Sequence, residues 1–160
     1  MIREYCADDT VEIVELSLRA WADGFASMPD LLGDELDVRL HSDDWRGYQS
    51  ASVQTTLAEP GMRVWVAVDD DGHVVGFVAA IVRDNERQIG EIEMLAVDPA
   101  HQNHGIGGAL TELATTWLRD QGMRVAMIGT GGDPAHAPAR RTYEKAGYTP
   151  LPLVRYFKAL

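Results

Sequence analysis

The sequence is poor in cysteine: Cys6 is the only one in 160 residues. A single cysteine excludes an internal disulfide bond and favours a reducing, cytoplasmic location. Because Cys6 stands at the end of a predicted first strand, we expect it to be a buried structural thiol rather than a nucleophile.

Long apolar runs are also missing. The longest apolar stretches are far shorter than a membrane span, and residues 1–5 lack the apolar core of a signal peptide. We therefore expect no membrane association. The length and the ordinary apolar content predict one globular domain, residues 1–160, with a substantial core.

Basic residues are scarce. The chain has 14 Lys and Arg against 25 Asp and Glu, which gives a formal net charge of −11. Phosphate backbones bind clustered Lys and Arg, so nucleic acid is not an expected partner. A negative field would recruit a cationic substrate, but the same acidity also serves solubility, and the composition does not separate the two explanations.

Apolar periodicity and turn residues predict alternating strands and helices without a linker or repeat. A first helix is expected to begin after Asp8-Asp9-Thr10 and to break at Met28-Pro29-Asp30. The predicted strands are 2–6, 63–68, 73–82, 88–97, 124–130 and 151–158, and the remaining predicted helices are 43–57, 105–121 and 137–146.

A glycine-rich loop lies between the predicted strand 88–97 and the next helix. The sequence here reads Val97-Asp98-Pro99, then Gln102-Asn103-His104-Gly105-Ile106-Gly107-Gly108. Glycine lets the backbone approach a ligand closely, and the first turn of a helix offers unpaired N–H groups and a positive dipole end. A strand, a glycine loop and a helix start together predict an anion site, most often for phosphate.

Two well-known phosphate loops fit this segment poorly. A P-loop requires Lys and then Ser or Thr after its last glycine, whereas Gly107 is followed by Gly108 and Ala109. A dinucleotide-binding fingerprint requires a third glycine, where this chain has Leu110. Each alternative lacks the residues that would carry its chemistry.

The Gln-x-x-Gly-x-Gly string five residues after a strand end resembles the acetyl-CoA loop of the GNAT (Gcn5-related) N-acetyltransferases. The order of predicted elements is also similar to that family over nearly the whole chain. The resemblance implies an α/β (α+β) GNAT fold, in which a mixed central sheet of about six to seven strands is flanked by about four helices. The sheet would be splayed at the wedge that binds acetyl-CoA, and no metal would be needed.

The same resemblance implies which residues contact acetyl-CoA. The backbone of the splayed strand would bind the pantetheine arm, and the loop would wrap the pyrophosphate. The residues concerned are Leu95, Ala96, Val97, Gln102, Asn103, His104, Gly105, Ile106, Gly107 and Gly108.

A second motif, Ala139 to Tyr148, resembles the family's A-x-x-x-Y-E-K-x-G-F/Y helix. The resemblance makes Tyr143 a cofactor contact and the general acid that protonates the departing CoA thiolate, a role a phenol can fill. The family usually has Asn seven residues before this tyrosine, and this chain has His136. Either His136 replaces the contact to the pantetheine arm, or Gly131-Gly132-Asp133-Pro134 reshapes the approach.

Acyl transfer to an amine needs a base, because an amine with the pKa of a lysine is mostly protonated at neutral pH. Glu91 and Glu93 alternate on the strand that leads to the wedge and so share one face. Relatives in the family place a catalytic carboxylate at either position. Repulsion between two carboxylates would raise the pKa of one of them, which suits a base. The sequence leaves both candidates open, with a slight preference for Glu93.

Other candidates are weaker. His101, His104 and His136 do not form a metal-ligand spacing with an acidic partner. The aromatic residues Trp21, Phe25, Trp45 and Tyr48 lie where this family walls its acceptor site, although core packing is their expected role. The same region is rich in acidic residues, which suit either a solvated surface or a polycationic substrate: Asp23, Asp30, Asp34, Glu35, Asp37, Asp43 and Asp44.

Together these features predict a cytoplasmic, acetyl-CoA-dependent N-acetyltransferase that modifies a primary amine of a small cationic molecule. An aminoglycoside antibiotic is a candidate acceptor. The alternatives are a protein or peptide N-acetyltransferase and a non-catalytic acyl-CoA-binding regulatory module. The apolar segment 151–157 either completes the core or supports a homodimer, which we favour.

Overall fold

The computed structural model describes residues 1–160 and contains five strands and five α-helices. In chain order they are β1 (Ile2–Glu4), α1 (Thr10–Leu32), α2 (Asp34–His41), α3 (Trp45–Ala58), β2 (Arg63–Val68), β3 (Val74–Asp84), β4 (Ile89–Val97), α4 (Ile106–Asp120), β5 (Val125–Ile128) and α5 (Ala137–Lys145).

The strands form a single sheet in the order β1-β2-β3-β4-β5. The first three pairings are antiparallel, and β4 pairs with β5 in parallel. Because a parallel pair needs a crossover, α4 connects β4 to β5 across one face of the sheet. The predicted mixed sheet with flanking helices is therefore confirmed.

Helices cover both faces, and each face has its own core. On one face, Leu110 and Leu118 of α4 pack against β3 and β4 and are at most 1% exposed. On the other face, Ile13 of α1 and Val53 of α3 pack against Phe77, and all three are fully buried. Helices α1 and α3 thus share a face opposite to that of α4.

A β-bulge interrupts β4 in its middle. Ala79 of β3 pairs with Met94, but the next residue, Ala80, pairs with Ile92, so Glu93 has no partner on β3. The pairing of β4 with β5 ends at the same level, where Ile92 pairs with Ile128. From Glu93 to Val97, the side of β4 that faces β5 is therefore unpaired, and the two strands open into a wedge.

The prediction of a final strand over 151–158 is wrong. Residues 149–160 have no regular secondary structure and no strand partner. Pro150 and Pro152 lack backbone N–H groups, and the apolar side chains of Leu151, Leu153 and Tyr156 are at least 80% exposed. The sheet consequently has five strands instead of six or seven.

The first part of the chain also differs from expectation. Helix α1 continues through Pro29 to Leu32 and ends at Gly33, whose φ is 79°. Pro29 lies in the last turn, where the loss of its N–H removes one hydrogen bond without stopping the helix. An additional helix, α2, follows. Strand β1 ends at Glu4, so Cys6 lies in the turn before α1 and is exposed, contrary to the predicted buried thiol.

None of the helices combines the length and the apolar character that crossing a membrane would require.

Candidate active site

The wedge between β4 and β5 opens into a cleft of about 780 Å³. One wall comes from β4 and the loop that follows it, and another comes from the start of α4. Helix α5 and the turn before it close the far side, and α1 contributes the rim toward the opposite face. The bulge at Glu93 therefore lies in the wall of this cleft.

The loop after β4 presents bare backbone to this cleft. Gly105 has a φ of 81° and forms the N-cap of α4, a conformation that glycine adopts without steric cost. A Cβ added at Gly105 or Gly108 would meet no atom within 4 Å. The space beside these glycines is open, so a ligand can approach the backbone there.

The first amides of α4 have no acceptor in the protein. The first backbone hydrogen bond at this helix end is donated by Ala109 to the carbonyl of Gly105, at 3.0 Å, and no side chain caps the helix. The N–H groups of Ile106, Gly107 and Gly108 thus form a cradle of unpaired donors at the positive end of the helix dipole. This arrangement suits a phosphate group.

Two polar contacts hold the loop in place. Gln102 donates from its side-chain amide to the carbonyl of Val97 at 3.2 Å. Asp98 accepts a hydrogen bond from Nε of Arg19 at 2.8 Å and another from the amide of Ala100 at 2.9 Å. Burial alone would raise the pKa of Asp98, but these donors lower it below its usual range. The ionised carboxylate therefore ties the end of β4 to α1.

Tyr143 projects from α5 into the cleft and is 9% exposed. Its hydroxyl forms no hydrogen bond with the protein and is not fully enclosed, so it is available to a ligand. Burial, together with the neighbouring Tyr148, raises the pKa of Tyr143 to about 12. The phenol consequently keeps its proton at neutral pH and can act as a hydrogen-bond donor or an acid.

Glu91 and Glu93 are joined by one cation instead of repelling each other freely. Arg83 of β3 donates from Nε to Glu91 at 2.6 Å and from Nη2 to Glu93 at 2.5 Å. Its third group, Nη1, contacts Glu59 at 2.7 Å. The three carboxylates raise the pKa of Arg83, so the guanidinium stays charged. Of the two predicted bases, only Glu93 lines the cleft.

His136 also lines the cleft, at the turn that leads into α5. Its Nδ1 lies 2.6 Å from Oδ1 of Asp133, whose side chain is 9% exposed. On the other side of the ring is Gly24 of α1, where an added Cβ would be 3.3 Å from Cε1 of His136. The imidazole is therefore fixed between the loop and α1.

The structure brings nearly all the sequence-predicted cofactor residues to one cleft. His104 is the exception, since its ring points to the carbonyl of His101, 3.3 Å away, instead of into the cleft. The predicted cofactor residues that line the cleft are Leu95, Ala96, Val97, Gln102, Asn103, Gly105, Ile106, Gly107, Gly108, His136 and Tyr143.

The aromatic residues of the first helices divide between two roles. Trp21 lines the cleft, whereas Phe25 and Trp45 stack on each other with ring centroids 4.8 Å apart, and Tyr48 packs at the edge of Phe25. The expected core packing is thus seen for Trp21, which packs against the buried cluster under α1, whereas Phe25 and Trp45 are only partly buried and Tyr48 is 45% exposed. Sequence reasoning missed Gln49, which is 5% exposed and lines the cleft near Trp21.

Sequence reasoning also missed Arg83 and Glu59. Their pairing joins the end of α3 to β3 across 24 positions in the chain, which no local pattern reveals. No group of three or more His, Cys, Asp or Glu side chains is arranged to hold a metal ion.

The family model for the acetyltransferase (GNAT) family matches residues 25–148. The match covers both sequence motifs and the cleft residues from Gln49 to Lys145, while the cleft residues of α1 precede it. The chain therefore belongs to the GNAT family, and the resemblance stated from the sequence is confirmed.

Curated relatives are proteins named mycothiol acetyltransferase. One from Beutenbergia cavernae is 35% identical over 151 residues, which is 94% of this chain and 45% of the relative. Another, from Segniliparus rotundus, is 31% identical over 116 residues, which is 66% of this chain and 43% of the relative. The chain thus spans less than half the length of these relatives.

Solved structures share the fold at low sequence identity. An aminoglycoside acetyltransferase from an uncultured soil metagenomic sample has a TM-score of 0.67 and 19% identity, with 100% of this chain and 98% of that chain covered. An aminoglycoside N-acetyltransferase determined in complex with CoA has a TM-score of 0.66 and 18% identity, covering 99% and 93%. These similarities support the fold. The acceptor of this chain is inferred from the lining of its own cleft.

Proposed function

We propose that this protein transfers an acetyl group from acetyl-CoA to a primary amine of a small, cationic molecule. The main support for the proposal is that three features follow one another along one cleft. A cradle of unpaired amides at Gly105–Gly108 leads along the unpaired side of β4 to the buried hydroxyl of Tyr143. An anion, an extended arm and a leaving group can therefore be bound in line.

Acetyl-CoA fits this arrangement, and the GNAT family uses it. The amides of Ile106, Gly107 and Gly108 would hold the pyrophosphate, with Gln102 and Asn103 at the edge of the cradle. The backbone of Leu95–Val97 would pair with the pantetheine arm as a further strand would. Bound in this way, acetyl-CoA supplies an activated acetyl thioester beside the bulge.

Transfer needs three proton movements. The acceptor ammonium first loses a proton to a base, and its nitrogen then attacks the thioester carbon. As the C–N bond forms, the C–S bond breaks and Tyr143 gives its proton to the departing sulfur. The second proton on the nitrogen returns through water to the Tyr143 oxygen, which leaves an amide and a free thiol.

For the acceptor side we propose Glu93 as the residue that faces the amine. Glu93 is on the β4 bulge, and Glu91 is set back from the cleft. The negative charge of Glu93 favours an ammonium ion beside the thioester. To accept a proton itself, Glu93 would have to leave the guanidinium of Arg83, and the same holds for Glu91.

An aminated carbohydrate such as an aminoglycoside is the proposed acceptor class. The net charge of −11 and the acidic first helices favour a molecule with several amines. Two structures of the same fold belong to aminoglycoside acetyltransferases, and the curated relatives are named for mycothiol. The name of those relatives makes the acceptor of a mycothiol acetyltransferase a second candidate, and this chain spans less than half of their length.

We further propose a cytoplasmic homodimer, because acetyl-CoA is available in that compartment and the chain has an unpaired apolar segment. Strand β5 is an edge strand with Val125 and Met127 about half exposed, and residues 149–160 have no regular structure and expose several apolar side chains. Exposed apolar edges and segments of this kind are typical of interfaces.

The proposed activity predicts CoA release from acetyl-CoA, measured with a thiol reagent, when an aminated carbohydrate is added. The panel holds kanamycin, glucosamine, spermidine and a lysine-bearing peptide. Release with kanamycin or glucosamine would support the proposed class, and release with the peptide alone would indicate a protein acetyltransferase. Tight acetyl-CoA binding without release from any amine would instead indicate a binding module.

Tyr143→Phe is expected to lower kcat about 100-fold or more, because the departing thiolate loses its proton donor. The Kd for acetyl-CoA, measured by titration calorimetry, should change little. Tyr148→Phe is the matched control, since the hydroxyl of Tyr148 contacts Thr115 at 2.6 Å outside the cleft. Equal loss of turnover in both variants would contradict the acid role of Tyr143.

Glu93→Gln should raise the KM for the amine by about 10-fold or more, because the charge that attracts the ammonium is removed (about 1.4 kcal/mol per factor of ten). Glu91→Gln, which disturbs the same contact with Arg83 from outside the cleft, should have a clearly smaller effect. Steady-state kinetics at saturating acetyl-CoA measures both. A larger effect of Glu91→Gln than of Glu93→Gln would indicate that the acceptor amine does not bind at the bulge.

The proposed dimer predicts a mass in solution of twice the 17.6 kDa of the chain, measured by light scattering. Leu153→Asp should lower that mass to one chain, because a charge on the exposed apolar segment would be buried at the interface. A wild-type mass of a single chain would contradict the dimer.

A further inference from the structure

We propose that His136, held by Asp133, is the base that takes the proton from the acceptor amine. Asp133 acts as its positioning residue. The inference rests on the proposed acetyltransferase function and assigns His136 a role different from the cofactor contact that the family resemblance implies.

The first argument is the way in which Asp133 holds the ring. Oδ1 of Asp133 is 2.6 Å from Nδ1 of His136, and Oδ2 is enclosed without any hydrogen-bond partner. Burial would raise the pKa of Asp133, but the hydrogen bond and charge of His136 outweigh it and lower that pKa. An ionised, buried carboxylate at Nδ1 selects the tautomer with its proton on Nδ1 and stabilises the imidazolium.

The second argument is what remains free on the ring. With the proton on Nδ1, the lone pair of His136 is on Nε2, which forms no hydrogen bond with the protein and is not fully enclosed. The ring lines the cleft, and a quarter of the side chain, 24%, is exposed. Nε2 can therefore receive a proton from a molecule bound there.

The third argument is the rigidity of the turn that carries this pair. Nη1 of Arg140, one turn into α5, donates to the carbonyl of Gly131 at 2.6 Å and to that of Asp133 at 2.7 Å. The guanidinium thus closes the loop 131–133 without contacting the carboxylate of Asp133. A base must be kept in position while the amine approaches, and this contact supplies the constraint.

The fourth argument is the location of His136 relative to the two substrates. The turn that carries it contacts α1, on the face of the sheet opposite to α4 and its amide cradle. Asp23 and Trp21 of α1 line the cleft on that side. An acceptor bound there would have its amine between α1, the bulge and the imidazole.

The competing carboxylates are less available. Both Glu91 and Glu93 accept hydrogen bonds from Arg83, so each would have to leave the guanidinium before it could take a proton. Glu93 can hold the ammonium by charge in this state. Nε2 of His136 forms no hydrogen bond with the protein, which leaves the imidazole as the free proton acceptor. The other charged side chains that line the cleft are Arg19, Asp23, Glu93, Arg141 and Lys145.

A glycine in the middle of α1 agrees with this role. Gly24 is buried within a 23-residue helix, where glycine costs about 1 kcal/mol relative to alanine. An added Cβ would lie 3.3 Å from Cε1 and 3.6 Å from Nε2 of His136. Helix α1 therefore gives up helical stability at a position that packs closely against the imidazole.

In the resulting step, Nε2 of His136 takes one proton from the ammonium, and the nitrogen keeps the electron pair that attacks the thioester carbon. The imidazolium is balanced by the carboxylate of Asp133. Tyr143 protonates the sulfur as the C–S bond breaks, and it regains a proton from the second N–H of the attacking nitrogen through water. The imidazolium returns its proton to solvent after the product leaves.

The test uses acetyl-CoA with kanamycin, or with the panel amine that the wild-type protein acetylates fastest. His136→Gln is expected to lower kcat about 100-fold or more. The Kd for acetyl-CoA should stay within about twofold, and added imidazole should restore part of the rate. Unchanged kcat with a weakened Kd for acetyl-CoA would show a cofactor contact and overturn the proposal.

Two further variants separate catalysis from folding. Asp133→Asn should lower kcat and shift the pH profile of kcat/KM, because the partner of Nδ1 loses its charge. Gly24→Ala should keep or raise the melting temperature, since alanine favours the helix, and still lower kcat by displacing the ring. Full activity in both Gly24→Ala and His136→Gln would overturn the base role.

The same experiment distinguishes a failure of the base role of His136 from a failure of the proposed acetyltransferase function. If the wild-type protein acetylates an amine and His136→Gln acetylates it equally fast, only the proposal for His136 fails. If the wild-type protein binds acetyl-CoA and releases no CoA with any amine of the panel, the proposed function fails, and the base role fails with it.

Discussion

The structure depends on one irregularity in hydrogen bonding, the bulge at Glu93. A regular β4 would stay paired with β5 along its length, and its backbone groups would be satisfied within the sheet. The extra residue bends β4 away after Ile92, so that the strand ends with an unpaired side next to the glycine loop. Three things follow from that bend: a cleft, a backbone edge for an extended ligand, and a carboxylate at the opening.

The bulge at Glu93 also determines on which face of the sheet each charged group of the site lies. The amide cradle attracts negative charge on the face of α4, whereas Glu93, Asp23 and the acidic helices bring negative charge to the face of α1. An anionic co-substrate and a cationic acceptor would thus approach from opposite faces and meet at the opening. Arg83 prevents the carboxylates of β4 from repelling each other, at the cost of occupying their lone pairs.

The sequence predicts the fold well where a pattern is local. The glycine loop and the tyrosine helix were recognised because their residues are close in the chain, and strand β2 was predicted with its observed bounds. The final strand was predicted from apolar residues alone, and it does not form, because a strand also requires a partner edge and backbone donors that Pro150 and Pro152 lack. The helix after Gly33 was missed because it is short and mostly charged.

The site was predictable to the same extent. Tyr143 and the loop residues reach the cleft as the motifs indicate, but the partners of the candidate bases could not be seen. Glu59 meets Arg83, and Gly24 meets His136, only after α3, α1 and the sheet have packed. Long-range contacts of this kind depend on register and helix orientation, which the periodicity of a single segment does not specify.

The two outer strands have a consequence for how the protein folds. Strands β2, β3 and β4 follow one another through short turns, whereas β1 pairs with a strand about sixty residues away and β5 must wait for the crossover through α4. Contacts between distant residues form late, because loop closure has to precede them. We therefore expect a central three-stranded meander to assemble first. The wedge, which exists only where β5 has joined β4, would be among the last parts of the molecule to acquire its native form.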